Sequence, residues 1–320
     1  MLLKHLIDLY DILDSPAASG VEVVSYLRSI DADCDAQTSI LEGEKGATDM
    51  VRVYIPGKRG YAAGGNAPTI ALLGRLGGLG ARPERIGFVS DGDGALTALA
   101  CAAKLVSMHA RGDVLEGDVL VSTHVCPHAP TFPHKPVPFM GSPVSTADVN
   151  REDIGKGPVD AVLVVDTTKG NRIMNDRGFA ISPTVKEGCI LRVSEDLVSL
   201  VETTSGRRAR TFPLSMADIT PYGNGLYHLN SILQPATATA APVVGVAITT
   251  ETAVAGCATG ATHLADLDEA GTFMVEAAKA FGAGACSFYD DQEFDLFVKR
   301  YGSMAHLQTM GNLPAENPNA

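Results

Sequence analysis

The sequence predicts a three-layer α/β/α fold with a mostly parallel central sheet, and three observations support this. Short apolar runs alternate along the chain with longer segments of helical apolar spacing, which is typical of a sheet covered by helices on both faces. The runs at 69–74 and 161–165 are continuously apolar, as expected for strands that are buried on both faces. The chain has 320 residues, of which 45% are hydrophobic, and this is enough to form a large core.

The elements follow from local patterns. Residues 2–13 carry apolar side chains at helical spacing, and Ser19 with Glu22 three residues later forms the pattern of a capping box before a second helix. Strands are predicted at 51–55, 69–74, 85–89, 118–122, 161–165 and 243–248. Helices are predicted at 94–110, after the turn that holds Gly223 and Gly225, and from a cap at Asp268.

The chain is predicted to form one domain over residues 1–312, followed by a disordered tail at 313–320. No internal repeat and no linker divides the sequence. A proline-rich loop that holds His134 is expected to run from the end of the fourth predicted strand to about Pro158.

Composition excludes several classes of partner. The formal net charge is −12, whereas nucleic-acid-binding proteins usually present a basic face. No run approaches the roughly 20 apolar residues that span a bilayer, so no membrane partner is expected. The first ten residues are expected to form an amphipathic helix and not a signal peptide. The six cysteines have no short repeated spacing and are expected to be free thiols, which predicts a cytoplasmic location.

Polar side chains follow several predicted strands, where folds of this class bind their ligands. They are Asp91, Asp93, His124, Cys126, His128, Asp166 and His263. Carboxylate and imidazole groups are ligands of zinc and similar cations. Several of them have a structural alternative. Asp91 or Asp93 can cap the next helix, Asp166 can form an Asx turn, and His263 can be an ordinary half-buried histidine.

The order of these segments resembles that of the co-catalytic zinc exopeptidases, especially the glutamyl and deblocking aminopeptidases and their aminoacylase-like relatives. Six segments match in order across most of the chain: 15–22, 69–80, 90–105, 117–126, 162–168 and 261–268. As a whole the sequence also resembles the family called domain of unknown function 1177. The resemblance implies a zinc-exopeptidase-like fold and the hydrolysis of an amide bond.

Carried over residue by residue, the resemblance retains three metal ligands. Asp91 falls on the bridging aspartate, Asp166 on a terminal metal aspartate and His263 on a terminal metal histidine. A catalytic zinc commonly has three protein ligands and one open position, so these residues imply one divalent metal. Zinc is expected, with manganese or cobalt as alternatives.

Four other positions depart from the family pattern. The first metal histidine falls on Arg75 and its companion aspartate on Gly77, while the paired glutamates fall on Cys126 and Pro127. An arginine cannot ligate a metal, because its guanidinium stays protonated. The standard two-zinc site therefore cannot form unchanged.

New roles are expected for the residues near these positions. The candidates for proton transfer, or for completing the metal shell, are His124, Cys126 and His128. Arg75 is expected to bind a substrate carboxylate. His134 and His228 are further candidates for substrate binding.

The sequence thus predicts a metal-dependent hydrolase of a small amide or peptide-like substrate. Two alternatives stay open. One is a non-catalytic protein on a degenerate peptidase scaffold, which binds a small ligand or has a regulatory role. The other is cysteine-nucleophile chemistry that uses Cys126 with a neighbouring histidine. A homodimer is compatible with the sequence, since closed twofold dimers are the commonest homo-oligomers.

Overall fold

The computed structural model describes residues 1–75 and 87–309. The helices are α1 (Leu2–Leu13), α2 (Gly20–Ile30), α3 (Asp93–His109), α4 (Thr146–Ile154), α5 (Glu195–Ser205), α6 (Leu264–Gly282) and α7 (Asp291–Tyr301). The strands are β1 (Asp35–Gly43), β2 (Gly46–Ile55), β3 (Ile70–Gly74), β4 (Val119–Val125), β5 (Thr131–Phe132), β6 (Phe139–Met140), β7 (Ala161–Thr167), β8 (Gly178–Ile181), β9 (Val185–Lys186), β10 (Cys189–Ile190) and β11 (Val243–Thr249).

One mixed sheet organises the molecule. Over the described ranges it has nine strands in the order β1-β2-β4-β3-β7-β11-β9-β10, with β8 also paired to β11. The central strands β4, β3, β7 and β11 run parallel to one another, and the outer strands pair antiparallel. All four central strands are buried along their whole length, as their apolar sequences predict. The predicted α/β fold with a mostly parallel core is confirmed.

The two faces of the sheet are covered differently. Helices α1, α3 and α6 pack against one another and contribute to the larger core, together with α2 and α5. The opposite face of the sheet packs against Ile154 of α4 and against short turns that carry Ile219 and Leu233. Helix α3 lies between the sheet and α1, and nearly all of its side chains are buried.

The predicted first helix and the cap of the second helix are both present. Helix α1 buries Leu2, Leu6, Leu9 and Leu13 along one face. Ser19 caps α2, and its hydroxyl accepts a hydrogen bond from Glu22 N at 3.3 Å. This bond satisfies one of the backbone donors that are left unpaired in the first turn of a helix.

Several element boundaries differ from the predictions. The predicted strand at 85–89 does not form over 87–89, because Phe88 N bonds to Asp14 Oδ1 at 2.5 Å instead of to a strand, while 85 and 86 lie outside the described residues. Strand β4 continues to Val125, so His124 lies inside it. The proline-rich loop contains the β5–β6 hairpin and helix α4.

Two predicted helix starts are wrong. Helix α6 begins at Leu264, with His263 at the cap position, so Asp268 lies inside the helix. The residues after Gly225 form no helix up to the short turn Gln234–Thr237.

Gly77 and the predicted tail at 313–320 lie outside the described residues. Among the helices that the structure describes, none has both the length and the apolar character needed to cross a membrane.

Helix α3 begins in close contact with the sheet at Gly94. A methyl group added there would lie 1.8 Å from Arg75 O and 2.5 Å from Val165 O. Both atoms belong to the backbone at the ends of β3 and β7, so they cannot move aside as a flexible side chain does. The missing side chain therefore allows the helix start to approach the two strand ends.

We expect Gly94→Ala to lower the free energy of unfolding by about 1–3 kcal/mol or more, because the added methyl overpacks this contact. Chemical denaturation measures the change. Gly260→Ala is the matched control, since a methyl there meets no heavy atom within 4 Å. A change within about 1 kcal/mol is expected for this control. Equal stability of the two variants would contradict the close approach.

Candidate functional site

A cavity of about 390 Å³ opens at the carboxyl ends of the parallel strands. Its floor includes Asp91, which lies in the turn Ser90–Gly92 just before α3, and Asp166, which lies near the end of β7. Its walls come from the proline-rich loop, the segment after β7, the irregular residues 220–232 and the loop 255–258 after β11. The cavity has the size and position that small-molecule sites usually have in open α/β sheets.

Asp91 is the most unusual group in this cavity. It is 7% exposed, and its Oδ2 has no hydrogen-bond partner among the described residues. Burial raises the pKa of Asp91 well above its usual value, and the charges of Asp166 and Asp93 raise it further. A buried carboxylate oxygen without a donor is costly, so this atom is a natural place for a proton or a bound cation.

Asp166 is buried beside it but is held by donors. Its Oδ1 accepts a hydrogen bond from Thr167 N at 2.7 Å, and its Oδ2 accepts one from Ser231 Oγ at 3.2 Å. The bond from Ser231 ties the end of β7 to the cavity wall. Asp166 therefore has a fixed orientation, and the two carboxylates lie within electrostatic range of each other.

A buried ion pair lies beneath the floor. Lys169 Nζ donates to Asp93 Oδ2 at 2.7 Å and to Ala261 O at 2.8 Å, and both charged side chains are fully buried. Thr262 Oγ1 donates to the other oxygen of Asp93 at 2.7 Å. Burial raises the pKa of Asp93, and the charge of Lys169 opposes that shift. Asp93 is thus compensated by a cation, whereas Asp91 is not.

The loop after β11 adds a thiol to the cavity lining. Cys257 O accepts hydrogen bonds from Asp91 N at 2.9 Å and from Ser90 Oγ at 2.7 Å, so this loop holds the backbone of Asp91. The Cys257 thiol lies 3.1 Å from Lys169 O. Burial raises the pKa of this thiol, and the charges of Asp91 and Asp166 raise it further. The thiol is therefore protonated near neutral pH.

The upper wall is apolar and aromatic. Its side chains include Ile173, Met174, Phe212, Tyr222, Leu229 and Ile232. The ring of Tyr222 stacks on His228, with the centroids 4.6 Å apart and the planes at 14°. His134 also lines the cavity, and its Nδ1 lies 3.2 Å from Val137 O. Of the predicted site residues, the cavity brings together Asp91, Asp166, His134 and His228.

Arg75 lies away from this cavity lining. It is 4% exposed, and its guanidinium contacts helix α4 through Asp153 Oδ2 at 2.5 Å and Asn150 Oδ1 at 2.9 Å. Ser122 Oγ donates to the other oxygen of Asp153 at 2.6 Å. The structure therefore places Arg75 in an internal ion pair, which does not fit the predicted role of holding a substrate carboxylate.

The predicted proton-transfer residues also lie elsewhere. His124 is buried in β4, where its Nδ1 lies 2.9 Å from Thr48 Oγ1, and burial next to Arg75 lowers its pKa to about 3. Cys126 is buried, and burial raises the pKa of its thiol. His128 is exposed and is not part of the cavity lining. A neutral imidazole beside a protonated thiol is not the activated pair that a cysteine nucleophile needs.

His263 does not join the two cavity carboxylates. Its Nδ1 lies 3.4 Å from Asp266 Oδ2 and 3.4 Å from Thr250 Oγ1, at the start of α6. Across the part of the chain that the structure describes, no three His, Cys, Asp or Glu side chains gather to hold a metal. Asp91 and Asp166 fit a cation, and two carboxylates with open positions suit magnesium or manganese better than a three-ligand zinc site.

Sequence reasoning missed Lys169, Ser231, Tyr222 and Cys257. Lys169 had a usable signal, because it follows Asp166 by three residues at the end of an apolar strand. A lysine in such a buried place is expected to pair with a carboxylate. The other three gave no local signal, since only the folded loops bring them to the cavity.

Comparisons with known proteins agree with this architecture. A family model described as "Protein of unknown function (DUF1177)" matches residues 39–311. No curated protein matches the sequence.

Solved structures share the fold at low sequence identity. The LapA aminopeptidase of Legionella pneumophila is 13% identical with a TM-score of 0.51, and the match covers 90% of this chain and 70% of that chain. A second structure of LapA is 13% identical with a TM-score of 0.50, and the match covers 89% of this chain and 72% of that chain. A Zn-dependent exopeptidase of Parabacteroides distasonis is 12% identical with a TM-score of 0.45, and the match covers 87% of this chain and 96% of that chain. The exopeptidase-like fold implied by the six ordered segments is confirmed.

We expect Lys169→Met to lower the free energy of unfolding by about 3–5 kcal/mol, because it leaves the Asp93 carboxylate buried without a cation. Lys279→Met is the matched control, since Lys279 pairs with Glu276 at 2.8 Å on the surface. That loss is expected to stay below about 1 kcal/mol. Urea denaturation of both variants measures the difference, and similar losses would argue against the buried pair.

We expect iodoacetamide to leave Cys126 unmodified in the folded chain at neutral pH, because the thiol is buried and protonated. Peptide mass spectrometry after timed quenching measures the modification. The urea-unfolded chain is the control, and its Cys126 is expected to react fully. Rapid modification of Cys126 in the folded chain would revive the cysteine-nucleophile alternative.

Proposed function

The chain belongs to the DUF1177 family, and we propose that it hydrolyses a small amide or peptide-like substrate in the cavity above Asp91 and Asp166, with a divalent cation. The observation that carries the proposal is the buried Oδ2 of Asp91, which has no donor among the described residues while a second buried carboxylate lies nearby. The similarity to LapA, which is an aminopeptidase, supports amide hydrolysis as the reaction class.

The chain's own residues define what the cavity binds. Asp91 and Asp166 would hold the cation, and Thr167 N with Ser231 Oγ keeps Asp166 oriented toward it. A bound divalent cation supplies a Lewis acid that polarises a carbonyl and makes a bound water more acidic. The positive charge of the cation would offset the free-energy cost of burying the Asp91 carboxylate.

The upper wall supports a substrate with an apolar group. Phe212, Ile232 and Met174 offer a surface without charge, while the polar groups are concentrated at the floor. A substrate would therefore place its reacting carbonyl near the carboxylates and its apolar group against the wall. Exclusion of water by that apolar group strengthens the electrostatic interactions at the floor.

His134 is the residue on the cavity wall that we assign to proton transfer. It lies in the proline-rich loop, it is exposed, and an imidazole nitrogen can accept or donate a proton. His124, Cys126 and His128 are not available for this role, because two of them are buried and none lines the cavity.

A second candidate function is ligand binding without chemistry. It is favoured by Arg75 and Cys126. The resemblance to the zinc exopeptidases places a metal histidine at Arg75 and one of two paired glutamates at Cys126, but the fold buries both residues outside the cavity lining. The cavity would then bind the same class of molecule without turnover. Binding of a substrate amide with no release of product distinguishes this candidate.

We expect Mn²⁺, Mg²⁺, Zn²⁺ or Co²⁺ to raise the melting temperature of the chain, because a ligand that binds only the folded state stabilises it. Asp91→Asn and Asp166→Asn are each expected to weaken the binding of that cation about tenfold or more, since each removes a negative ligand of nearly the same shape. Calorimetric titration with the metal salt measures the affinity.

Asp113→Asn is the control, because Asp113 is an exposed acid outside the cavity. Cation-dependent hydrolysis of aminoacyl-4-nitroanilides is expected to disappear in both cavity variants and to persist in this control. If no cation raises the melting temperature, or if Asp91→Asn binds it like the unmodified chain, the metal-dependent proposal is wrong.

A further inference from the structure

One wall of the cavity has no regular secondary structure to hold it. Residues 220–230, here called the rim segment, contain no helix or strand, although Tyr222, His228, Leu229 and Asn230 line the cavity. Tyr227 in the same segment is 83% exposed. Side-chain hydrogen bonds therefore decide the conformation of this wall.

Both ring nitrogens of His228 lie against backbone carbonyls. Nδ1 is 3.1 Å from Leu226 O, and Nε2 is 3.1 Å from Thr220 O. The Thr220 hydroxyl is 3.5 Å from Nε2 but donates to Ala217 O at 2.7 Å and accepts from Asn224 Nδ2 at 2.8 Å. A carbonyl can only accept, and a neutral imidazole has one N–H, so the two bonds require two ring protons.

We infer that His228 is a positioning residue that carries both ring protons and, as an imidazolium, holds the rim segment as a wall of the cavity. A single proton would leave one ring lone pair facing a carbonyl lone pair. That arrangement loses a charge-assisted hydrogen bond and gains a repulsion. The wall is therefore stabilised while the second proton is bound, and it loosens as the pH rises and the proton leaves.

The surroundings of His228 suit a cation. The stacked ring of Tyr222 presents its electron-rich face, which attracts a positive charge. Two buried acids face the rim segment from neighbouring elements: Asp218 accepts from Asn230 N at 2.8 Å, and Asp166 accepts from Ser231 Oγ at 3.2 Å.

The remaining charged groups of the cavity do not oppose this assignment. Asp91 and His134 line the same cavity from other segments of the chain, and Lys169 is neutralised by Asp93. The inference rests on the proposed function only in taking this cavity as the binding site. It adds a control of that site by the protonation of one side chain.

Long-range ¹H–¹⁵N NMR of the full chain tests the inference between about pH 5 and pH 8, where histidine side chains titrate. At the acid end both ring nitrogens of His228 are expected to carry protons. As His228 loses one proton, the amide signals of Tyr222 and Leu226 are expected to shift with the same midpoint. Their exchange, corrected for its intrinsic pH dependence, is expected to become about tenfold faster or more.

His228→Gln removes the titration, and its rim-segment signals are expected to match the deprotonated state at every pH. His306→Gln is the matched control, because His306 is exposed and lies outside the cavity, and it is expected to leave the rim-segment titration unchanged.

The inference is overturned if His228 keeps one unprotonated ring nitrogen at a pH at which His306 carries two protons. It is also overturned if His228 titrates while the rim-segment amides do not respond. These measurements need neither a cation nor a substrate. A failure of cation binding would therefore sink the proposed function and leave the assignment of His228 intact.

Discussion

The buried ion pair between Lys169 and Asp93 is the interaction on which the candidate site depends. Asp93 begins α3, Lys169 follows β7, and Lys169 Nζ also bonds to Ala261 O just before α6. Removing two charges from water is costly, so a buried pair needs close contact between its charges and further hydrogen bonds. Ala261 O and Thr262 Oγ1 supply those bonds here. Asp91 and Asp166 lie two and three residues from these partners, so the pair sets the geometry of the cavity floor.

The contrast between the two neighbouring acids gives this floor its chemical character. Asp93 is buried and has a lysine and a threonine as partners, while Asp91 is buried and has an oxygen that no described group satisfies. Native proteins satisfy nearly all of their buried polar atoms, so an exception needs an explanation. A ligand that binds between Asp91 and Asp166 supplies one, because it compensates the charge that the fold leaves uncompensated.

The sequence predicted the parallel core and the N-terminal cap of helix α2 because these depend on local patterns. Continuous apolar runs identify strands that are buried on both faces, and Ser19 with Glu22 identifies a helix start. The cavity was predictable only in part. Asp91 and Asp166 stand at the edge of the sheet, but the places of Tyr222 and Ser231 depend on an irregular segment that no periodicity describes. The burial of His124 was missed because β4 continues past the predicted end at Ser122.

Arg75 and Cys126, two of the positions that depart from the exopeptidase pattern, are buried in this fold. Arg75 pairs with Asp153 at 2.5 Å, and His124, in the next strand, is buried and neutral. A fixed internal cation at the end of β3 repels a metal ion there, and it also tethers helix α4 to the sheet. The buried groups at the ends of β3 and β4 therefore contribute to stability, whereas the proposed site is lined by Asp91 before α3, the end of β7, the loop after β11, the proline-rich loop and the rim segment. The proposed site thus combines two buried carboxylates with a cavity wall that side chains hold in place.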